Sequence, residues 1–316
     1  MICDMRRTVF PAMKHFYSMM DQTCSFVGLL ITLSLLVSAG GSSPPPAYSV
    51  TRAKYSVDFA GAAYCAGTLG RGVEDWSCSS CKNHPNVENR TVISKGSVLF
   101  DFNAFVAYDK DENTVVVSIA GTDPLKIRDY IDDFDAFMIP YAQCDGCKVH
   151  QGFWSSYELG AEETKSAVDY LLNAYQGAKL TVTGHSLGGI VAVLAALDLQ
   201  QAGHVVDSVI TFGEPRGGND AFATFAGESL PATNTFRLTH YTDPIPQLAP
   251  RALGFRHHTN EIYYSERNSD GAYLVCSSVD GEDETCQNSL AVCVNLDMHL
   301  HYVGFDFVGN YLKCKL

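Results

Sequence analysis

Apolar residues recur at helical spacing between Gly152 and Tyr175, at Phe153, Tyr157, Leu159, Val168, Leu171 and Leu172, with Gly177 just beyond. That pattern predicts a helix over 152–175. Upstream, Ala104 to Tyr108 and Thr114 to Ala120 are β-branched and aromatic runs on either side of the polar stretch Asp109 to Asn113, which predicts a hairpin-like strand pair. Gly121-Thr122-Asp123-Pro124 breaks the second of these strands. Downstream, Leu180-Thr181-Val182-Thr183 reads as a short strand, and Leu187 to Ala202, rich in Ala, Leu and Val and stopped by Gly203, reads as a buried helix. Strands over Ser208 to Phe212 and Thr235 to Tyr241 enclose a Gly-rich loop, Gly213 to Asn219, and the last third is loop-rich. Such alternation predicts an α/β fold, with a mostly parallel central sheet flanked by helices. With no internal repeat and no dividing linker, 48–316 reads as a single domain.

The first 47 residues follow another pattern. Phe26 to Val37 is an apolar-to-neutral run preceded by Arg6, Arg7 and Lys14 and followed by the small-residue sequence Val37-Ser38-Ala39. That reads as a secretory signal over 1–39, because the run is short for a span needing roughly 20 apolar residues. The long stretch before it implies either a start at Met13, Met19 or Met20 or an uncleaved signal-anchor tethering the chain to a membrane. Cleavage and secretion are the expectation. Residues 40–47 are a Gly/Ser/Pro linker.

Composition narrows the partners. A formal charge of −13 and the absence of a Lys/Arg-rich stretch argue against nucleic acid and point to a neutral substrate. Nothing implies a stable protein partner. Of the eleven cysteines, nine remain once Cys3 and Cys24 leave with the signal, so one thiol is odd. Secretion favours disulfides. The pairs Cys78/Cys81 and Cys144/Cys147 could in principle hold zinc, but their wide separation fits zinc spacings poorly, and neither metal nor cofactor is expected. Asn89-Arg90-Thr91 is the one N-glycosylation sequon.

The candidate chemistry lies in Gly184-His185-Ser186-Leu187-Gly188. The bare pattern is weak, but here it joins a predicted strand to a predicted helix. That is the setting of a nucleophile elbow, where glycines permit a strained turn that lifts the serine hydroxyl from the sheet. The helix start also presents backbone N–H groups to developing negative charge. Serine needs a histidine to take its proton and a carboxylate to orient that histidine, in the order Ser, Asp, His on this fold. Asp243 sits immediately past the strand ending at Tyr241, whereas Asp220, Asp270 and Asp280 follow no such strand. His257, His258, His299 and His301 all follow Asp243, and spacing does not choose among them.

Several further segments occur in a telling order: Ala63-Tyr64-Cys65, Trp76-Ser77-Cys78-Ser79-Ser80-Cys81, Val149-His150-Gln151-Gly152-Phe153, Thr211-Phe212-Gly213-Glu214-Pro215-Arg216 and Asp243-Pro244-Ile245-Pro246. With the elbow, they make the chain from about Ala62 to Cys314 resemble the class 3 lipases, the fungal-type triacylglycerol lipase and feruloyl esterase family of α/β-hydrolases. The resemblance implies that His299, in His299-Leu300-His301-Tyr302, carries the base, leaving His257 structural. It implies an oxyanion hole from Thr122 and Leu187, Gly121-Thr122 matching the family's Gly-Ser/Thr. It implies a short amphipathic lid around Ile127, Arg128, Tyr130 and Ile131, with two extra residues, including Pro124, between Gly121 and the lid. It further implies disulfides Cys65 with Cys314, Cys78 with Cys81 and Cys276 with Cys286; Cys144 with Cys147 would be an addition, and Cys293 the odd thiol.

The expected function is therefore ester hydrolysis through a Ser186, Asp243 and His299 triad and an acyl-enzyme, with triacylglycerol at a lipid–water interface as the leading substrate. Feruloyl esterase and phospholipase A1 activity are the alternatives on the same scaffold, and an inactive secreted binding protein is the alternative of another class.

Overall fold

Alternation along the strands sorts the side chains into two cores. The computed structural model describes residues 48–66, 72–96, 100–132, 134–290 and 295–315; the expected leader and linker, and Cys293, lie outside them. In chain order the elements are α1 (Val50–Ala66), β1 (Val87–Gly96), β2 (Asp101–Asp109), β3 (Thr114–Ile119), α2 (Ile127–Asp132), β4 (Met138–Pro140) and β5 (Lys148–His150). There follow α3 (Gln151–Glu158), α4 (Ala161–Ala174), β6 (Lys179–His185), α5 (Leu187–Gln201), β7 (Ser208–Phe212), β8 (Gly218–Asn219) and α6 (Asp220–Ser229). The chain continues through β9 (Thr235–His240), β10 (Phe255–Arg256), β11 (Glu261–Tyr264), β12 (Tyr273–Val275), α7 (Leu296–His299) and α8 (Phe307–Lys315).

The main sheet has the order β1-β2-β3-β6-β7-β9-β11-β12. Its five central strands, from β3 to β11, are parallel, and antiparallel pairs close both margins. Val115, Val117, Ile119, Leu180 and Val182 share one core with α5, while Val116, one residue out of phase, joins a second core with Phe59 and Ala63 of α1. This is the period of two expected of a sheet covered on both faces. Helix α5 buries most of its length, so it is apolar all round. The result is an α/β-hydrolase fold in one domain. Among the described residues no helix is long and apolar enough to cross a membrane.

The structure corrects one expected element. The helix anticipated over 152–175 is two helices, α3 and α4, separated at Leu159 and Gly160. A Cβ at Gly160 would lie 2.2 Å from the Phe102 ring, so the break is where the sheet's aromatic side chain meets the backbone.

Among the described residues, disulfides join Cys65 to Cys314, Cys78 to Cys81, Cys144 to Cys147 and Cys276 to Cys286. With both C-x-x-C pairs closed on themselves, neither offers the thiolates that zinc requires.

Candidate active site

Ser186 follows β6 and precedes α5 with φ 61° and ψ −133°, a conformation that non-glycine residues rarely adopt. The surrounding glycines are required by contact. A Cβ at Gly184 would lie 2.1 Å from the Gly188 carbonyl oxygen, and one at Gly188 would lie 2.3 Å from that of Ile119. The Ser186 N–H donates to Phe212 O at 2.8 Å, fixing the turn against β7.

His299, the last residue of α7, donates from Nδ1 to Asp243 Oδ2 at 2.9 Å. Asp243 follows β9, and its Oδ1 accepts the Ile245 N–H at 2.8 Å. The same Oδ2 also accepts the hydroxyl of Tyr302. Ser186, Asp243 and His299 are all buried, and the two atoms that hydrolysis would engage, Ser186 Oγ and His299 Nε2, are buried without a partner.

Of the four histidines left open by spacing, His299 is the one that bonds Asp243. His257 donates from Nε2 to Pro246 O at 2.9 Å, and its pKa is held well below the usual histidine range by burial and then by Arg237 and Arg216. His258 faces Glu214 at 3.1 Å, and half-exposed His301 bonds Asp297 O.

His185 supports the His299 imidazole from below. Its Nε2–H donates to His299 O at 2.8 Å, its Nδ1 accepts from Tyr64 OH at 2.7 Å, and its ring stacks 3.7 Å from Phe307. Burial, and then neighbouring His299, hold its pKa well below 6.5, so His185 stays neutral where its ring stacks 4.5 Å from that of His299. Tyr302, Tyr64 and His185 are supporting residues with no motif of their own. The only sequence signal was their presence inside matched segments.

Gly121 passes so near the elbow that a Cβ would lie 2.8 Å from that of Ser186 and 2.5 Å from His185 O. Thr122 therefore emerges beside Leu187, the first residue of α5, whose N–H belongs to the helix turn that lacks intrahelical acceptors. Both line a cavity of about 760 Å³ walled also by Gly121, Tyr130, Phe134 and Phe153.

Helix α2 packs across this region. Ile127 is buried against Ile245 and Leu248, with Tyr130, Ile131, Phe134 and Leu296 around them, while Arg128, Asp129 and Asp132 are exposed. The extra residues form a turn: Asp123 accepts from Leu125 N, Lys126 N and, through Oδ2, Tyr311 OH.

A strained serine at a strand-to-helix turn, with a histidine–aspartate pair on later loops of a parallel sheet, defines a serine hydrolase of the α/β-hydrolase class. The family model "Lipase (class 3)" matches residues 116–253. The chain is 34% identical over 268 residues to secreted mono- and diacylglycerol lipase 1 of Fusarium solani, covering 81% of this chain and 76% of that protein. It is 32% identical over 273 residues to a lipase of Rhizomucor miehei, covering 84% and 72%. A solved triacylglycerol lipase, described as having a serine protease triad as its catalytic centre, superposes with a TM-score of 0.72 at 30% identity, covering 82% of this chain and 95% of that one. The chain belongs to the class 3 lipase family. It is a secreted serine hydrolase of the lipase type.

Proposed function

We propose that the protein hydrolyses acylglycerols, triacylglycerol first among them, at a lipid–water interface through Ser186, His299 and Asp243. The observation that carries this reading is the pair of buried, unpartnered atoms Ser186 Oγ and His299 Nε2 beside a histidine already bonded to Asp243. Deprotonated by His299 Nε2, Ser186 Oγ attacks the ester carbonyl. Asp243 holds the ring in the required tautomer and favours the imidazolium. Negative charge on the carbonyl oxygen is met by the N–H groups of Thr122 and Leu187 and by the Thr122 hydroxyl. The His299 imidazolium then protonates the leaving alcohol oxygen as the tetrahedral intermediate collapses to an acyl-enzyme. Water, deprotonated by His299, attacks that acyl group and releases the acid and Ser186.

Helix α2 is the lid of this reading. Its Tyr130 walls the cavity that Thr122 and Leu187 line, and its hold rests chiefly on Ile127, whose burial is worth roughly 1.5–3 kcal/mol. A lipid surface offers the same apolar faces an alternative place to lie, so the lid opens there.

Residues 1–39 are read as the secretory leader, 40–47 as a linker and 48–316 as the mature catalytic domain. Asn89 is read as a glycan acceptor: it is exposed at a bulge of edge strand β1, where φ is 50°.

Rates on triolein emulsion, phosphatidylcholine vesicles and methyl ferulate test the reading. Triolein is expected to be the best substrate, and the rate on a short triglyceride is expected to jump at its solubility limit. Folded Ser186→Ala is expected to lose at least about 10⁴-fold in kcat and all labelling by a fluorophosphonate. Wild-type turnover by that variant would overturn the assignment.

A further inference from the structure

The turn that carries Asp243 is held at one end by the residue just after a disulfide-closed loop and at the other by a residue within that loop. At the near end, Gln287 Nε2 donates to Asp243 O at 2.9 Å. Gln287 follows directly on Cys286, whose bond to Cys276 packs beneath Tyr263, and both Cys286 and Gln287 are buried. At the far end, Glu282 of the same loop pairs with Arg216 at 2.8 Å, and Arg216 donates to Gln247 O at 3.1 Å and Gln247 Oε1 at 3.2 Å. Glu282 Oε1 also accepts the His257 N–H, while His257 donates to Pro246 O within that turn. Gln287 is anchored in its own right: its N–H reaches Glu261 Oε1 at 3.4 Å, and its Oε1 accepts from Gln247 at 3.4 Å.

None of these hydrogen bonds involves Ser186 or His299. Their common target is the backbone of 243–247, the segment whose placement sets where the Asp243 carboxylate meets His299. We infer that the Cys276–Cys286 loop is a brace for the catalytic carboxylate and that Gln287 is its positioning residue. The inference rests on the Ser186, His299 and Asp243 reading. A small displacement of a catalytic group is enough to matter, because a misplacement of 1 Å costs on the order of 10²-fold in rate.

Two variants test the brace: Gln287→Met, which keeps the volume and removes the donor, and Cys276→Ser/Cys286→Ser, which opens the loop while leaving Gln287 in place. Kinetics use a short, water-soluble p-nitrophenyl ester, so that interfacial binding plays no part. Gln287→Met is expected to lower kcat about tenfold with KM within about twofold of wild type. The acid limb of its pH–rate profile is expected to move to lower pH, because an imidazolium with a displaced carboxylate is less favoured. Opening the disulfide is expected to act in the same direction. Gln287→Asn, whose shorter arm retains an amide donor, is expected to fall between wild type and Gln287→Met. A lowered Tm with wild-type kcat and an unmoved acid limb in these variants would mean that the loop serves stability alone, and the brace would be wrong. Asp243→Asn serves as the control: if it leaves the acid limb in place, the failure lies with the triad reading instead.

Discussion

Gly213 lies directly against the His299 ring: a Cβ there would be 2.8 Å from both Cε1 and Nδ1 and 3.0 Å from Asp243 Oδ2. Its φ of +59° adds backbone strain for any other residue. Gly213→Ala is therefore expected to displace the imidazole and lower kcat by about 10²-fold, with a smaller effect on Tm. Steady-state kinetics on a soluble ester, with a melting curve alongside, check this; a folded variant with wild-type kcat would refute it.

Tyr302 shares Asp243 Oδ2 with His299. Removing a donor from a buried carboxylate costs roughly 1.5–3 kcal/mol. Tyr302→Phe is expected to lower kcat by about tenfold, leaving KM nearly constant, since the hydroxyl touches the carboxylate and not the substrate. An effect confined to KM would count against this placement.

The Cys65–Cys314 bond spans 249 residues. On a chain-entropy basis a closure of that size is worth about 5 kcal/mol. Cys65→Ser/Cys314→Ser is expected to lower Tm by roughly 10 °C or more. Opening Cys78–Cys81 or Cys144–Cys147, each with a sequence separation of 3, is expected to cost much less. Calorimetry of the three variants ranks them.

Stability is expected to fall as pH drops below about 6.5. His150 is pushed down to about 4, chiefly by burial, and His185 and His257 lie well below 6.5 for the same first reason. Each depressed histidine stays neutral in the fold while its unfolded counterpart takes up a proton. The contribution is therefore full above the unfolded value and lost as pH falls toward the folded one. For His150 the window runs from about 6.5 to about 4 and is worth up to about 3 kcal/mol. Its Nδ1 accepts from Gly152 N and Phe153 N at the start of α3, and its Nε2 donates to Asp135 O, so protonation would sacrifice that cap. Tm measured from pH 7 to pH 4 in wild type and His150→Asn gives the test: a slope equally steep in the variant would remove His150 as a contributor.

The centre of the fold was legible because its patterns are simple. Apolar runs with glycine stops marked β6, α5 and β7 to within two residues. The margins were not. Strand β1 keeps only Val87 and Ile93 buried, so its sequence Val-Glu-Asn-Arg-Thr lacks the alternation that marks a half-buried strand. Helix α1 is buried largely through Ala, Gly and Ser, small residues that give little periodic signal beside Val57, Phe59 and Tyr64. The break at Gly160 depends on Phe102, which is distant in sequence. For the site, order and setting picked out Ser186 and Asp243, but choosing His299 required the family resemblance, because His257, His258 and His301 are all plausible by spacing. The distance to Asp243 separates them. The contact of Gln287 with Asp243 spans 44 residues and leaves no motif behind.

Helix α2, the proposed lid, rests on the turn that holds the Asp243 carboxylate: Ile127 packs on Ile245, two residues beyond Asp243, and on Leu248. On the proposed reading, substitutions in either partner therefore act on two quantities at once, how readily the serine is uncovered and how firmly the Asp243 carboxylate is held. A mutational screen scored only by turnover on emulsions would merge the two and credit gating with losses that belong to chemistry. Paired assays on dissolved and dispersed esters keep them apart.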